Sequence, residues 1–110
     1  MPRWLQAVLR RVRTHAAAGH VRFTHKALCE LADLDLGLDE RDACRILSGL
    51  TAGDAGGRTV SEHVGEWLHV FKPRVAGTIL YVKLVLRADC VVVSFHREVP
   101  DDEEDREDQG

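Results

Sequence analysis

Apolar residues in the first fifty positions recur with helical spacing. From Arg3 to about Ala18, Trp4, Leu5, Val8, Leu9 and Val12 fall at i, i+1, i+4, i+5 and i+8, one stripe at 100° per residue, with Arg3, Arg10 and Arg13 opposite. Gly19 ends this predicted helix. A short extended piece, His20 to Phe23, leads to Thr24, whose side-chain oxygen can cap a second helix running to about Ala32 with Ala27, Leu28 and Leu31 inward. A loop holding Gly37 precedes Asp39, an N-cap with Asp42 three residues on, and Ala43, Cys44, Ile46, Leu47 and Leu50 supply the stripe of a third helix.

The period then changes from 3.6 to 2. Thr51 to Gly57, rich in glycine and without periodicity, reads as a flexible connection. Trp67 to Lys72 alternates as a strand, Pro73 to Gly77 is a turn, and Thr78 to Arg87 and Cys90 to Arg97 are two β-branched segments joined at Ala88 and Asp89. The expected fold class is therefore α+β, with three N-terminal helices packed on a C-terminal antiparallel β-meander.

Charge sharpens this division. The chain of 110 residues carries 15 Lys and Arg against 18 Asp and Glu, a net charge of -3 that argues against a nucleic-acid ligand. Residues 98–110, however, hold eight acids and one base, a charge of -7, and residues 1–97 hold 14 bases and ten acids, a charge of +4. Residues 1–29 contain six bases and no acid. The expectation is one domain over 1–97 that binds an anion, followed by a disordered acidic tail over 98–110, whose composition cannot offset the entropy of ordering. No apolar run approaches the length of a membrane span, no leader pattern opens the chain, and three cysteines without paired spacing (Cys29, Cys44, Cys90) suit reduced thiols in cytoplasm.

The hairpin carries the candidate chemistry. A turn centred on Ala88 and Asp89 sets Leu86 against Val91, Leu84 against Val93 and Val82 against Phe95, an apolar face for the core. On the other face Val85 meets Val92, Lys83 meets Ser94 and Tyr81 meets His96, so a phenol and an imidazole stand about 5 Å apart at their Cβ atoms. Lys, Tyr, His and Ser on one patch supply an acid, a base and a charge stabiliser for a phosphodiester. A wet sheet face with a well-matched Tyr–His pair accounts for the same residues without chemistry. Further positive charge favours the functional reading: Lys72 and Arg74 flank the turn before the Tyr81 strand, and Arg58, His63 and His69 precede it.

An ordered series of segments resembles the MqsR-type toxins of bacterial toxin-antitoxin systems: Gly19 to Leu28 (GHVRFTHKAL), Leu36 to Leu50, Trp67 with Val70 and Lys72-Pro73-Arg74, Tyr81-Val82-Lys83, and Val91 to His96 (VVVSFH). The resemblance spans roughly residues 10 to 97. It implies a RelE-like fold and a sequence-selective endoribonuclease that cuts messenger RNA without a metal or other cofactor. It also implies neutralisation by a co-encoded antitoxin, with a helix-turn-helix DNA-binding domain expected in that partner. The family tyrosine falls on Tyr81, the residue singled out by the register. The family lysine after Ser-Phe falls on His96, the glutamine after the tryptophan on Leu68, with His69 beside it as a substitute, and the loop lysine has Arg58 as its nearest counterpart.

The expected site thus combines Tyr81, His96, Lys83 and Arg58 as catalytic residues with Lys72, Arg74, His69 and Arg97 as RNA contacts. His96 would act as general acid or base, since an imidazole of pKa about 6.5 exchanges protons near neutrality. Tyr81 would trade a proton with it or hold a phosphate oxygen, and Lys83 and Arg58 would favour the ionised phenol. The main alternative is a non-catalytic RNA-binding or regulatory protein of the same fold. A zinc site from His63, His69, Cys90 and His96 lacks the close ligand pairing of structural sites. DNA binding by the first helix rests only on an Arg stripe of the kind that solvated faces carry, and a pure protein-interaction role would offer the basic patch to an acidic antitoxin segment.

Overall fold

The computed structural model describes residues 2–61 and 65–98. The expected acidic tail, apart from Glu98, and His63 lie outside the described residues. The helical half follows the apolar stripes. Helix α1 (Arg3–Ala18) buries Leu5, Val8, Leu9, Val12 and Ala16, and ends at Gly19, which takes the left-handed conformation at φ 76° that glycine adopts without a Cβ clash. Helix α2 (His25–Asp33) starts where Thr24 accepts a hydrogen bond from the Ala27 N–H, and α3 (Glu40–Ser48) starts at a reciprocal box between Asp39 and Asp42.

The remaining elements are a short 3-10 turn (Ala52–Asp54) and the strands β1 (Val21–Phe23), β2 (Ala55–Val60), β3 (Trp67–Phe71), β4 (Arg74–Val75), β5 (Thr78–Leu86) and β6 (Cys90–Arg97). Among the described residues they form one six-stranded sheet of order β1-β6-β5-β3-β2, with β4 paired to β5 off this path. The class is α+β as expected, but the division into a helical half and a separate β-meander does not hold. Strand β1, from between α1 and α2, pairs parallel with β6 through Val21 to Cys90, Arg22 to Val91 and Phe23 to Val92, so the sheet is mixed.

Thr51 to Gly57 is a second correction. Thr51 and Asp54 cap each other's turn, the Lys72 N–H donates to the Asp54 carbonyl at 2.6 Å, and β2 then pairs antiparallel with β3. The glycines do not loosen this segment but let it bulge between Ala55 and Arg58. Gly57 sits at φ 101°, and a Cβ on Gly56 would meet Val70 Cγ1 at 3.0 Å.

A third correction concerns the β5–β6 hairpin. Tyr81 faces His96, Val82 faces Phe95 and Lys83 faces Ser94, but the register then shifts, and Leu84 faces Val92, Val85 faces Val91 and Leu86 faces Cys90. Val93 is the extra residue. The cause lies in β1: Cys90 is fixed by its pairing with Val21 and by its N–H on the His20 carbonyl, which sets Cys90 and Val92 into the core in place of Val91 and Val93. All three helices and one face of β3, β5 and β6 bury a single apolar cluster, with Val12, Leu47, Leu50, Phe71, Leu84 and Phe95 at most 1% exposed. Among the described residues the opposite face of the sheet carries no helix from that cluster, and it holds the candidate chemistry.

Candidate active site on the open face of the sheet

Alternation along β5 and β6 places Tyr81, Lys83, Ser94 and His96 on the face away from the core, since Val82 and Phe95 between them are fully buried. The Tyr81 and His96 rings stack with centroids 5.0 Å apart and planes within 13° of parallel. The His96 Nδ1–H donates to the Arg97 carbonyl at 2.7 Å, because that oxygen can only accept. Nδ1 therefore carries hydrogen, and in the neutral ring Nε2 keeps its lone pair. Lys83 Nζ lies 5.9 Å from the centroid of the Tyr81 ring.

Helix α2 adds two residues that the sequence reading did not select for the site. Where β1 stops, α2 takes over the edge of β6: the Thr24 N–H donates to the Val92 carbonyl, and Glu30 Oε1 accepts the Phe95 N–H at 2.9 Å. This seats Lys26 across the strand, with Nζ donating to Ser94 Oγ at 2.9 Å and paired with Glu30 Oε2 at 2.9 Å. Burial pushes the Lys83 ammonium below its ordinary pKa, the Lys26 charge pushes the same way, and Glu30 opposes both. Burial alone would raise the Glu30 carboxyl, but Lys26, the Phe95 N–H and the charge of His96 outweigh it and hold it below the usual range.

Lys72 follows Phe71 and turns to the open side with Val70, as its closeness to Gly56 beside Val70 Cγ1 indicates. Its Nζ pairs with Glu98 Oε2 at 2.7 Å. Arg74 pairs with Ile79, which shares the Tyr81 side of β5, so its register also assigns it to the open face. Leu68, where the resemblance implied a glutamine, alternates to this face as well and is apolar.

The other expected residues are not brought to this patch. Arg58 pairs with His69 across β2 and β3, and His69 pairs with Leu84 of the core, so both face the helices. The Arg58 guanidinium carbon sits 4.0 Å from the Trp4 ring centroid and 3.9 Å from that of Trp67. His69 is 5% exposed and stacks on Trp4 at 6.1 Å. Burial, then the charges of Arg58 and Arg11, lower its pKa. Both residues line a cleft of about 350 Å³ beside Trp4, Trp67 and Glu66. Arg97 pairs with the buried Leu80 and donates to the Leu34 carbonyl at 2.8 Å, which ties β6 to the end of α2. The expected aid of Arg58 to the Tyr81 phenol therefore fails by sheet parity.

The same parity divides the zinc alternative: His69 and Cys90 face the helices and His96 the open side. Burial pushes the Cys90 thiol up to about 12, and no group of three or more His, Cys, Asp or Glu among the described residues could hold a metal. Lys26 and Glu30 left one signal in the sequence, an i, i+4 pair of opposite charge, but nothing there showed α2 lying along β6.

The open face, with a stacked phenol and imidazole, the Lys83 ammonium beside them and Lys26 and Lys72 on the same side of the sheet, is suited to holding and protonating or deprotonating an extended anion. Comparison with known proteins identifies the family. The model of the family described as "Motility quorum-sensing regulator, toxin of MqsA" matches residues 6–97. A curated relative, the mRNA interferase toxin MqsR of Escherichia coli (strain K12), is 36% identical over 89 residues, which cover 79% of this chain and 88% of that protein.

Proposed function

The chain belongs to the MqsR toxin family, and on that premise we propose that it is an endoribonuclease toxin that cleaves messenger RNA. The observation that carries the reading is the stacked Tyr81–His96 pair with Lys83 beside it on the open face. Cleavage proceeds by attack of the ribose 2'-OH on the adjacent phosphorus. His96 Nε2 takes the 2'-OH proton, the new P–O2' bond forms, the P–O5' bond breaks, and the leaving 5'-oxygen takes a proton from the Tyr81 hydroxyl. The products are a 2',3'-cyclic phosphate and a 5'-OH end. Lys83, with Lys72 and Arg74 on the same face, binds phosphate and offsets the charge of the phosphorane. The proposed steps use these side chains alone and require no metal ion.

The reading extends to the setting of the enzyme. The fold is taken as RelE-like, with residues 1–97 as the toxin domain and 98–110 as an acidic tail. A cognate antitoxin, carrying a helix-turn-helix DNA-binding domain, neutralises the enzyme in the cytoplasm. No helix among the described residues is long and apolar enough to cross a membrane.

Two departures favour a second reading, an RNA-binding or regulatory protein without cleavage: Leu68 stands where the resemblance implied a glutamine, and His96 where it implied a lysine. One experiment separates the two. A defined RNA, and the same RNA with a 2'-deoxy residue at the cut position, are incubated with the wild type, His96→Ala and Tyr81→Phe. The nuclease reading expects cleavage that requires the 2'-OH and falls about 10²–10⁴-fold in each variant. Binding without cleavage by the wild type establishes the second reading, and equal cleavage by all three proteins overturns the site.

A further inference from the structure

We propose that Lys26, Ser94 and Lys83 form a phosphate subsite that grips the RNA backbone next to the scissile phosphate, with Glu30 as the positioning residue that holds Lys26 at the sheet edge. The inference rests on the endoribonuclease reading for the identity of its ligand and goes beyond it in assigning a role to α2.

One ammonium contacts a buried hydroxyl, and a second stands on the residue paired with it across the hairpin. Ser94 is 4% exposed, faces Lys83 in register on β5, and accepts the hydrogen bond from Lys26 on α2. Glu30 pairs with Lys26, yet Lys83 makes no salt bridge among the described residues. One carboxylate, Glu30, thus serves two ammonium groups and, of the two, is in direct contact with Lys26 alone, so a positive charge at the half-buried Lys83 is left incompletely offset. Burial and the Lys26 charge lower the Lys83 pKa, and Glu30 offsets them only in part. A phosphodiester anion relieves both terms, since it pairs with each ammonium and can accept from the Ser94 hydroxyl.

The position fits a polymer. Ser94 and His96 are two residues apart on one face of β6, about 7 Å along the strand. That separation is of the order of the spacing between successive phosphates of an extended RNA strand. With the scissile phosphate at Tyr81 and His96, the neighbouring phosphate falls between Lys26 and Lys83. Glu30 fixes the geometry, one carboxylate oxygen on the Phe95 N–H and the other on Lys26, so the lysine leans over the strand instead of extending from α2.

A simpler account makes Lys26, Glu30 and Ser94 a pin that docks α2 on β6. Salt dependence distinguishes the two, because a phosphate contact releases counterions and a pin does not. The probe is a short 2'-O-methyl oligoribonucleotide, which the wild type binds but cannot cut. Replacing Lys26 by Ala should weaken binding several-fold at low salt and reduce the slope of log K against log[salt] by about 0.7, the value for one phosphate contact on a single strand. Lys26→Gln, which keeps a donor for Ser94 Oγ without the charge, should show the same loss, and Lys26→Arg should restore the slope. Arg3→Ala, on the exposed side of α1, serves as the control and keeps the wild-type slope.

An unchanged slope in Lys26→Gln, or no binding of the oligonucleotide by the wild type, overturns the subsite. Cleavage of unmodified RNA is assayed in parallel. Cleavage with an unchanged slope removes the subsite alone, and a Lys26-dependent slope without cleavage keeps the subsite and removes the nuclease.

Discussion

Tyr81 and His96 stack across β5 and β6 with ring centroids 5.0 Å apart, and the His96 Nδ1–H is held by the Arg97 carbonyl. The resemblance implied a lysine where His96 stands, so the pair holds an imidazole in place of an ammonium. A general base needs a free lone pair, which the imidazole offers at Nε2 and an ammonium lacks. Cleavage by His96→Lys should therefore fall about 10²–10⁴-fold. Binding of an uncleavable oligoribonucleotide should be kept, since the positive charge at this position is not lost. The check is kcat/KM and oligonucleotide affinity for both proteins, and equal kcat/KM would remove His96 from the proton transfer.

Arg58 lies between the rings of Trp4 and Trp67, on the helix side of the sheet. Its guanidinium joins α1 to β2 and β3, and stacking on two indoles is worth about 1–3 kcal/mol in all. Arg58→Ala should lower the stability by an amount in that range, read from the denaturant midpoint at constant m-value. Cleavage by the folded fraction should change by no more than about threefold, less than 1 kcal/mol in the barrier. A loss of activity far larger than the loss of stability would return Arg58 to the catalytic set.

The position of Arg58 shows where the sequence stopped being legible. The stripes of α1, α2 and α3 could be read because 3.6-residue periodicity and the caps at Thr24 and Asp39 are local properties. The pairing of Tyr81 with His96 could be read because β5 and β6 are joined by a short turn. Parity is a different matter: Arg58 faces the helices only because β2 exists and pairs it with His69, and a glycine-rich bulge disguised β2 as a loop. Likewise Val93 is extra because β1, three residues long, fixes Cys90 from a distant part of the chain. Lys26 and Glu30 enter the site by the same non-local route, since β1 is what lays α2 along β6.

His69 should make the fold acid-sensitive. Its imidazole is buried, its Nδ1 has no hydrogen-bond partner among the described residues, and burial with Arg58 and Arg11 lowers its pKa. The unfolded chain takes up this proton near pH 6.5 while the folded chain resists it, so stability is present above that pH and lost as pH falls below it. His69→Phe keeps an aromatic ring against Trp4 and removes the unpaired nitrogen. At pH 7 it should match or exceed wild-type stability by up to about 1 kcal/mol. Between pH 7 and 5 its stability should fall less than that of the wild type, as measured by denaturant unfolding at each pH. Equal losses in the two proteins would place the acid sensitivity elsewhere.

Glu98 bears on the acidic end of the chain. The carboxylate pairs with Lys72 at 2.7 Å, and the Glu98 N–H donates to the Ile79 carbonyl at 2.9 Å, so the first acid of residues 98–110 is seated on the same face as Tyr81 and His96. The pair is partly exposed, with side chains 39% and 28% accessible, and such contacts are worth about 0–1 kcal/mol. A carboxylate on Lys72 nonetheless occupies a cation that RNA phosphate would use. Glu98→Gln should tighten binding of a short oligoribonucleotide a few-fold at low salt, and deletion of residues 100–110 should add to the gain if the remaining acids act on the same face. Both gains should shrink as salt rises to about 0.5 M, where exposed charges are screened within a few ångströms. Affinity equal to wild type in Glu98→Gln would mean that Lys72 makes no phosphate contact. A gain in Glu98→Gln with none on deletion would confine the competition to this one carboxylate and leave the rest of the tail to solubility.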